Sequence, residues 1–350
     1  MTDDLREQSP EMHSAGARPD RFDEVPWPAV AVFVAVAYAL AWLVALPLWF
    51  VDFEPSAYAT LFGVLAGAMM FTPTLAALVV VFLMKRPGRE RMRLLGIWPL
   101  RPAKRVVWFS VVMNFVPVLL VAACLGISAM FGWLQLDLSG FSGFRQAVDA
   151  QIDGLGLDPA ATAAARAAMP PIGMLVAVQI GVILLGGVLN MIPALGEEIG
   201  WRGWLLPALR PLGAWPALLV SGAIWGLWHA PVILLGYNFN RTDWVGVVLM
   251  IAGCTAWGVF FGWLRLRTAS IWPSAIAHAS FNAAGGLLVI GMAATDTPPD
   301  MLFVNPLGVP GWILLAVVVS ALLVTGQFSR EPQLAPAKPK WAPPGPVTPS

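Results

Sequence analysis

Residues 172–192 read IGMLVAVQIGVILLGGVLNMI, and residues 196–202, shortly after them, read GEEIGWR. A run of about 20 apolar residues is long enough to cross a bilayer as an α-helix. The pattern therefore predicts that Glu197 and Glu198 lie on or just inside the membrane end of a helix. An ionised side chain costs roughly 2.5 to 3.5 kcal/mol at the centre of such a helix and less near the surface. We therefore expect polar partners for both carboxylates elsewhere in the chain.

The composition of the whole chain agrees with a membrane protein. Hydrophobic residues make up 58% and charged residues 12%, whereas soluble domains average about 45 to 50% and 25%. The first 25 or so residues are acidic and have no basic signal-peptide region, so no cleaved signal is predicted. Cys124 and Cys254 both lie in apolar runs, and neither a disulfide framework nor a cysteine metal site is predicted.

The apolar runs predict an all-α fold, a polytopic membrane bundle of about eight transmembrane helices. The bundle is predicted over residues 28–328, between disordered cytoplasmic tails at 1–27 and 329–350, the second of which is rich in proline. A kink is expected at Pro73. The external connection 133–172 contains a predicted short helix at 160–169. The predicted spans are 29–50, 57–84, 106–132, 173–196, 213–235, 244–264, 270–292 and 310–327.

The distribution of basic residues predicts the orientation of the bundle. With the N-terminus in the cytoplasm, every Lys and Arg falls in a cytoplasmic tail or connection except Arg145, Arg166 and Arg241. This count places Arg202 and Arg265 in cytoplasmic connections. Because Lys and Arg are enriched in cytoplasmic loops, we predict a multi-pass protein of the cell membrane with both termini in the cytoplasm.

Very few ionisable side chains remain within the predicted spans. Among the acids these are Glu197 and Glu198, and among the three histidines they are His229 and His278. Residues four apart share one face of a helix. That spacing predicts three pairs of neighbouring side chains: Glu198 with Arg202, Trp225 with His229, and His278 with Asn282.

Each of these signals has a plain structural explanation when taken alone. A membrane histidine or asparagine often only links two helices, and an acidic pair followed by arginine can be a salt-bridged helix end. Taken together, they predict one buried polar site. Neither a His-Glu-x-x-His zinc motif nor an aspartate dyad is present, and no Gly-x-Ser-x-Gly context supports a serine nucleophile. A glutamate general base acting on water and a zinc site of two histidines and one glutamate both remain open.

With these motifs in hand, the chain resembles the CPBP family, the CAAX protease and bacteriocin-processing or Abi proteins related to type II CAAX prenyl endopeptidase. The resemblance rests on Glu197-Glu198-x-x-x-Arg202 and on His278-x-x-x-Asn282. The family's second motif is Phe-x-x-x-His, and here Trp225 stands in place of the phenylalanine before His229. The resemblance implies an eight-helix bundle with a catalytic core at about 172–292 and a cavity open to the cytosol.

The resemblance also implies a role for each motif residue. Glu197, with His229, would activate a water molecule for attack on the scissile carbonyl. His278 and Asn282 would stabilise the oxyanion. Three supporting residues, Glu198, Arg202 and Trp225, would hold these groups in place. No cofactor or metal is expected from the resemblance, although zinc remains an alternative.

The function predicted on this basis is that of an intramembrane endopeptidase, a glutamate-type peptidase that hydrolyses a membrane-associated substrate. Prenylated CAAX-like and bacteriocin-type peptides are the candidate substrates. The alternatives are a zinc-dependent version of the same protease and a non-catalytic membrane scaffold or immunity protein. A proton-relaying transporter is less favoured, because no repeated halves with interrupted helices are evident. The expected partners are the peptide or protein substrate and the lipid bilayer, with no nucleic acid and no prediction of oligomeric state.

The predicted spans contain one geometric conflict. Glu197 is placed close to the cytosolic end of its helix, whereas His229 lies about 16 residues, or on the order of 24 Å, into the next helix. The two can meet only if the fourth helix continues past Arg202, or if residues 203–216 begin the next span below the interface.

Overall fold

A computed structural model of the protein describes residues 22–50, 55–87, 90–295 and 297–329. Apart from residues 22–27 and 329, the two predicted disordered tails lie outside the described residues. In the described part of the chain, every regular element is a helix. A single antiparallel bridge pairs Leu136 with Met292, and it belongs to no strand in these ranges. The predicted all-α fold is confirmed.

Six described helices are long and apolar enough to cross a membrane, and they match six of the eight predicted spans. A seventh crossing is possible if Pro159–Ala167 and Ile172–Leu184, which meet at an angle of 78°, form one bent span. A polytopic membrane bundle is therefore confirmed, with six or seven such helices where the sequence predicts eight. The six helices are Trp27–Trp49, Ala57–Leu83, Ala103–Met130, Trp244–Thr268, Trp272–Gly291 and Met301–Val324.

The two predicted spans without a full-length helix are 173–196 and 213–235. The first is divided into helices Ile172–Leu184, Gly186–Leu189 and Met191–Glu198. The second has a helix at Ala214–Trp228 and a separate turn at Ala230–Ile233. Proline at the start of this turn interrupts regular helix hydrogen bonding. The predicted kink at Pro73 corresponds to a break between helices Pro55–Met69 and Thr72–Leu78.

The fourth predicted helix does not end near residue 196. Met191–Glu198 continues as a π-helix, Ile199–Leu205, and then as an α-helical turn, Leu206–Leu209; we call residues 191–209 the site segment. Its continuation past Arg202 removes the conflict in depth between Glu197 and His229. The placement of Arg202 in a cytoplasmic connection was wrong, because Arg202 lies inside the site segment and is only 2% exposed.

A similar correction applies to Arg265, which the sequence places after a helix ending at residue 264. The helix extends from Trp244 to Thr268, and Arg265 is buried in its last turns. Long polar side chains are accommodated in membrane helices when they face the protein interior and find polar partners. The predicted helix end at residue 264 was too early, because a basic residue near the end of an apolar run usually marks the membrane surface.

Glycine residues bring helix Ala214–Trp228 against helix Trp244–Thr268. A Cβ atom on Gly222 would lie 2.7 Å from the Cα of Thr255, and one on Gly226 would lie 2.5 Å from the Cα of Ile251. The two backbones are therefore in direct contact, as small residues allow in membrane helix pairs.

The predicted external connection contains two helices, Ser142–Asp153 and Pro159–Ala167. The second agrees with the predicted short helix, and the first was not predicted. Backbone hydrogen bonds from Asp137 to Gly291 and from Ala293 to Gln135, both 2.9 Å, attach this connection to the end of helix Trp272–Gly291. The helix that carries His278 is thus held at its far end.

Candidate active site

Glu197 lies in the middle of the site segment and is 2% exposed. Two indole N–H groups donate to its Oε2 atom, that of Trp225 at 2.7 Å and that of Trp201 at 3.3 Å. Hydrogen bonds from neutral donors satisfy a buried carboxylate without neutralising it. Because both donors reach the same oxygen, Oε1 is the oxygen left for another molecule.

Glu198 has a different set of partners. Its Oε1 atom accepts a hydrogen bond from Arg202 Nη1 at 2.7 Å, which is the pair that the spacing of four predicts. The same oxygen lies 3.0 Å from His278 Nδ1. Since a carboxylate accepts and the imidazole donates here, Nδ1 carries the hydrogen. Within the part of the chain that the structure describes, Glu198 therefore forms an ion pair with Arg202, and its neighbour Glu197 forms none.

Trp225 lies at the centre of the site. Its ring packs edge-on against His278, with centroids 5.3 Å apart, and lies 4.3 Å below the guanidinium carbon of Arg202. Phe261 stacks on the other side of His278 at 5.5 Å and 21°. An aromatic face attracts a cation and an aromatic edge fixes ring orientation. Tryptophan here also supplies an N–H donor to Glu197, which the family's phenylalanine could not.

His229 lies at the end of helix Ala214–Trp228 and is half-buried. Its Nδ1 atom is 3.0 Å from the backbone oxygen of Trp225. A carbonyl can only accept, so Nδ1 carries the hydrogen and the neutral ring keeps its lone pair on Nε2. The Sγ atom of Cys254 is 3.9 Å from the same Nδ1 atom.

A cavity of about 710 Å³ brings the predicted catalytic residues together. Glu197, His229, His278 and Asn282 all line it, as does Trp225. Asn282 is exposed. Glu198 and Arg202 lie behind this lining, where they contact His278 and Trp225 rather than the cavity. The arrangement places one carboxylate, two imidazoles and one amide around a single space.

Sequence reasoning missed several residues of the site. Trp201 follows Glu197 by four residues, the same spacing that identified the other pairs, and could have been found in that way. Phe261 and Tyr237, which lines the cavity, lie outside the three motifs. Their contacts depend on how helices pack, and no local pattern in the sequence marks them.

The arrangement of possible ligands bears on metal binding. Within the described ranges, no group of three or more His, Cys, Asp and Glu side chains is placed to hold a metal ion. The hydrogen bonds of both Nδ1 atoms leave one Nε2 atom on each histidine as a possible ligand.

The fold and the site define a polytopic membrane protein with a buried carboxylate and imidazole centre, an arrangement suited to hydrolysis. Residues 177–284 match the family model described as type II CAAX prenyl endopeptidase Rce1-like. This match contains all seven predicted site residues and confirms the resemblance to the CPBP family over that part of the chain. It supports a membrane endopeptidase. Searches of curated proteins and of solved structures found no match.

Proposed function

We propose that this protein is an intramembrane glutamate endopeptidase in which Glu197 activates water. The observation that carries the proposal is the contrast between the two adjacent acids. Glu198 is bound to Arg202 and His278. Among the described residues, the donors to Glu197 are two neutral indoles, and Glu197 faces a cavity that it shares with both histidines. A general base must lie within reach of the proton that it takes, and a carboxylate paired with a cation is a weaker base than an unpaired one.

The proposed reaction begins with a water molecule hydrogen-bonded to Glu197 Oε1 and His229 Nε2. Glu197 takes one proton from the water as its oxygen attacks the scissile carbonyl carbon. The carbonyl π-electrons move to oxygen and form a tetrahedral oxyanion. The protonated Glu197 then gives its proton to the leaving amide nitrogen, the C–N bond breaks, and an acid and an amine are released.

His278 and Asn282 are proposed to stabilise the oxyanion. Asn282 carries an amide N–H group that can donate directly. His278 already donates from Nδ1 to Glu198, so it can also donate to the oxyanion only when Nε2 carries a second proton. Glu198 is the anion that stabilises this doubly protonated form. Removing one oxyanion donor typically lowers kcat by about 10² to 10³-fold.

The proposed substrate is a membrane-associated peptide that enters the cavity in an extended form. The lining combines apolar groups, among them Phe62, Met70 and Met301, with the polar centre. Unbranched methionine side chains adapt to irregular apolar ligands. Prenylated CAAX-like and bacteriocin-type peptides, presented from the cytoplasmic side of the cell membrane, are the two substrates to test.

The test compares Glu197→Gln with wild-type protein in liposomes that contain fluorogenic peptides of both kinds. We expect cleavage to fall by about 10² to 10⁴-fold, the usual contribution of a general base. The matched control is Glu90→Gln, because Glu90 is an exposed acid that pairs with Arg93 and lies outside the cavity lining. Equal cleavage by Glu197→Gln and wild type would refute the assigned role. A host phenotype that survives Glu197→Gln would favour the scaffold function.

Metal dependence is decided by a second measurement. Purified protein is treated with a chelator and its metal content is determined. Activity that persists without metal supports the glutamate mechanism. Activity that is lost and then restored by zinc would instead favour the zinc-dependent protease.

A further inference from the structure

The backbone of the site segment has a carbonyl group whose π-helical donor position is occupied by proline. In a π-helix, the oxygen of residue i accepts from the N–H of residue i+5. The N–H of Leu206 follows this rule and donates to the oxygen of Trp201. The next oxygen, that of Arg202, would require the N–H of residue 207, but residue 207 is proline. Proline has no backbone N–H.

Arg265, from the neighbouring helix Trp244–Thr268, supplies a donor to this carbonyl. Its Nε atom lies 3.1 Å from the Arg202 oxygen, and its Nη2 atom donates to the Leu94 oxygen at 2.6 Å. Arg265 is 2% exposed. A hydrogen bond from a charged donor to a buried backbone oxygen is stronger than a neutral one. One guanidinium thus joins the π-helical turn to the last residue of the short helix Arg91–Leu94.

The residues that follow this short helix also contact the helix that carries His278. The Gly96 oxygen accepts from the N–H of Ile271 at 3.1 Å, and the Trp272 indole donates to the Ile97 oxygen at 3.1 Å. Gly96 has a φ of +70°, and a Cβ there would lie 2.9 Å from the Arg265 guanidinium. Only glycine leaves the room that Arg265 occupies.

We propose that Arg265 is a positioning residue for the active site, acting through the Arg202 carbonyl, whose π-helical donor is missing because residue 207 is proline. Arg202 holds Glu198 at 2.7 Å, and Glu198 holds His278 at 3.0 Å. Arg265 therefore acts on the oxyanion side of the site through two intervening residues. The kinetic part of this inference rests on the proposed function, whereas its structural part does not.

The test is a double-mutant cycle of Arg265→Met and Pro207→Ala. Arg265→Met keeps the aliphatic stem and removes the donors. Pro207→Ala restores an N–H at position 207 that can reach the Arg202 oxygen in the π-helical register. We expect Arg265→Met to speed hydrogen exchange in a peptide covering residues 199–209 by about 10- to 100-fold, the value of a charged hydrogen bond. In the double variant, the restored N–H is expected to return exchange to the slow rate.

Kinetics of the same four proteins provide the second measurement. Arg265→Met is expected to lower kcat on the liposome substrate by about 10-fold with little change in KM, because Arg265 does not line the cavity. The double variant recovers most of this loss. Arg267→Met is the matched control, since Arg267 lies two residues away on the same helix and contacts Phe109 instead; its exchange and kcat should match wild type.

The outcomes separate this inference from the proposed function. Unchanged exchange in Arg265→Met, or a double variant that exchanges as fast as the single one, would overturn the positioning role. If no protein cleaves any peptide, including wild type, the proposed function fails and the exchange data alone decide. Should Arg265→Met not fold, Arg265→Lys takes its place. Because lysine has a single ammonium, Arg265→Lys is expected to exchange at a rate between those of wild type and Arg265→Met. Adding Pro207→Ala should return the rate to the wild-type value, and a rate that stays fast would overturn the positioning role.

Discussion

The site segment and the helix Trp244–Thr268 contact each other but have opposite construction. Trp244–Thr268 is a regular α-helix of 25 residues that begins at the N-cap Asp243. The site segment changes from α- to π-helical hydrogen bonding within Ile199–Leu205 and then returns to an α-helical turn. The irregular element carries both glutamates, and the regular one carries none of the three family motifs.

The difference shows how buried charge is accommodated. A π-helical turn inserts an extra residue per turn and redirects side chains, which is why such turns are common at functional sites. The regular helix compensates for the irregular one. It provides Arg265 to the Arg202 backbone and Phe261 to the His278 ring.

The largest effect on stability is expected at Arg202. Arg202→Met leaves Glu198 as a buried carboxylate without its guanidinium partner, and removing one member of a buried ion pair typically costs about 3 to 5 kcal/mol. The measurement is the free energy of unfolding in mixed micelles during a denaturing-detergent titration. A loss of this size would sharpen the contrast between the two elements. It would mean that the irregular site segment depends on a buried ion pair for its stability.

The double variant Arg202→Met/Glu198→Gln is the control for this prediction. It removes the unpaired charge together with its partner, so we expect it to be more stable than Arg202→Met alone. If the double variant is the less stable of the two, the pair contributes chiefly through packing, and the account of the site segment as a charge-dependent element is wrong.

A smaller effect on stability is expected where helix Ala214–Trp228 packs through glycine against the regular helix. Gly226→Ala places a Cβ 2.5 Å from the Ile251 Cα, so the two backbones must separate, at a cost of about 1 to 3 kcal/mol. Gly126→Ala is the matched control, because a Cβ at Gly126 meets nothing within 4 Å. Removing a glycine from a helix where space allows is expected to be neutral or stabilising by about 0.4 to 1 kcal/mol. Equal unfolding free energies for the two variants would contradict close packing at Gly226.

The regular element was largely predictable from the sequence, and the site segment was not. The span predicted at 244–264 corresponds to the helix Trp244–Thr268. A long apolar run with few charges forms a helix in a membrane, because a helix satisfies its own backbone hydrogen bonds. The predicted end near 196 was wrong because Glu197, Glu198 and Arg202 have the composition of a helix terminus. Only the packing around them shows that these charges satisfy one another inside the bundle.

The same limit explains which contacts of the site were predicted. Glu198 and Arg202 are four residues apart on one helix, so their pairing follows from helix geometry alone. The contact of Glu198 with His278 joins residues 80 apart, and that of Trp225 with Glu197 joins residues 28 apart. No periodicity encodes such distances. The motifs indicated that these residues meet, but not which acid each of them contacts.

The smallest effect is expected at the exposed start of the regular helix. Asp243 accepts hydrogen bonds from Arg241 at 2.8 Å and from the Gly246 N–H at 3.1 Å. The hydrogen bond from Arg241 is the main reason that the pKa of Asp243 lies below its ordinary value, and the bond from the Gly246 N–H lowers it further. A lowered pKa in the folded state adds stability above the unfolded pKa of about 3.9, and this stability is lost as pH falls below that value.

Asp243→Asn can still cap the helix but does not titrate. Between pH 7 and pH 3, the thermal midpoint should therefore fall slightly further for wild type than for Asp243→Asn, and high salt should reduce the difference. Parallel curves for the two proteins would show that the regular helix draws no stability from charge even at its exposed end.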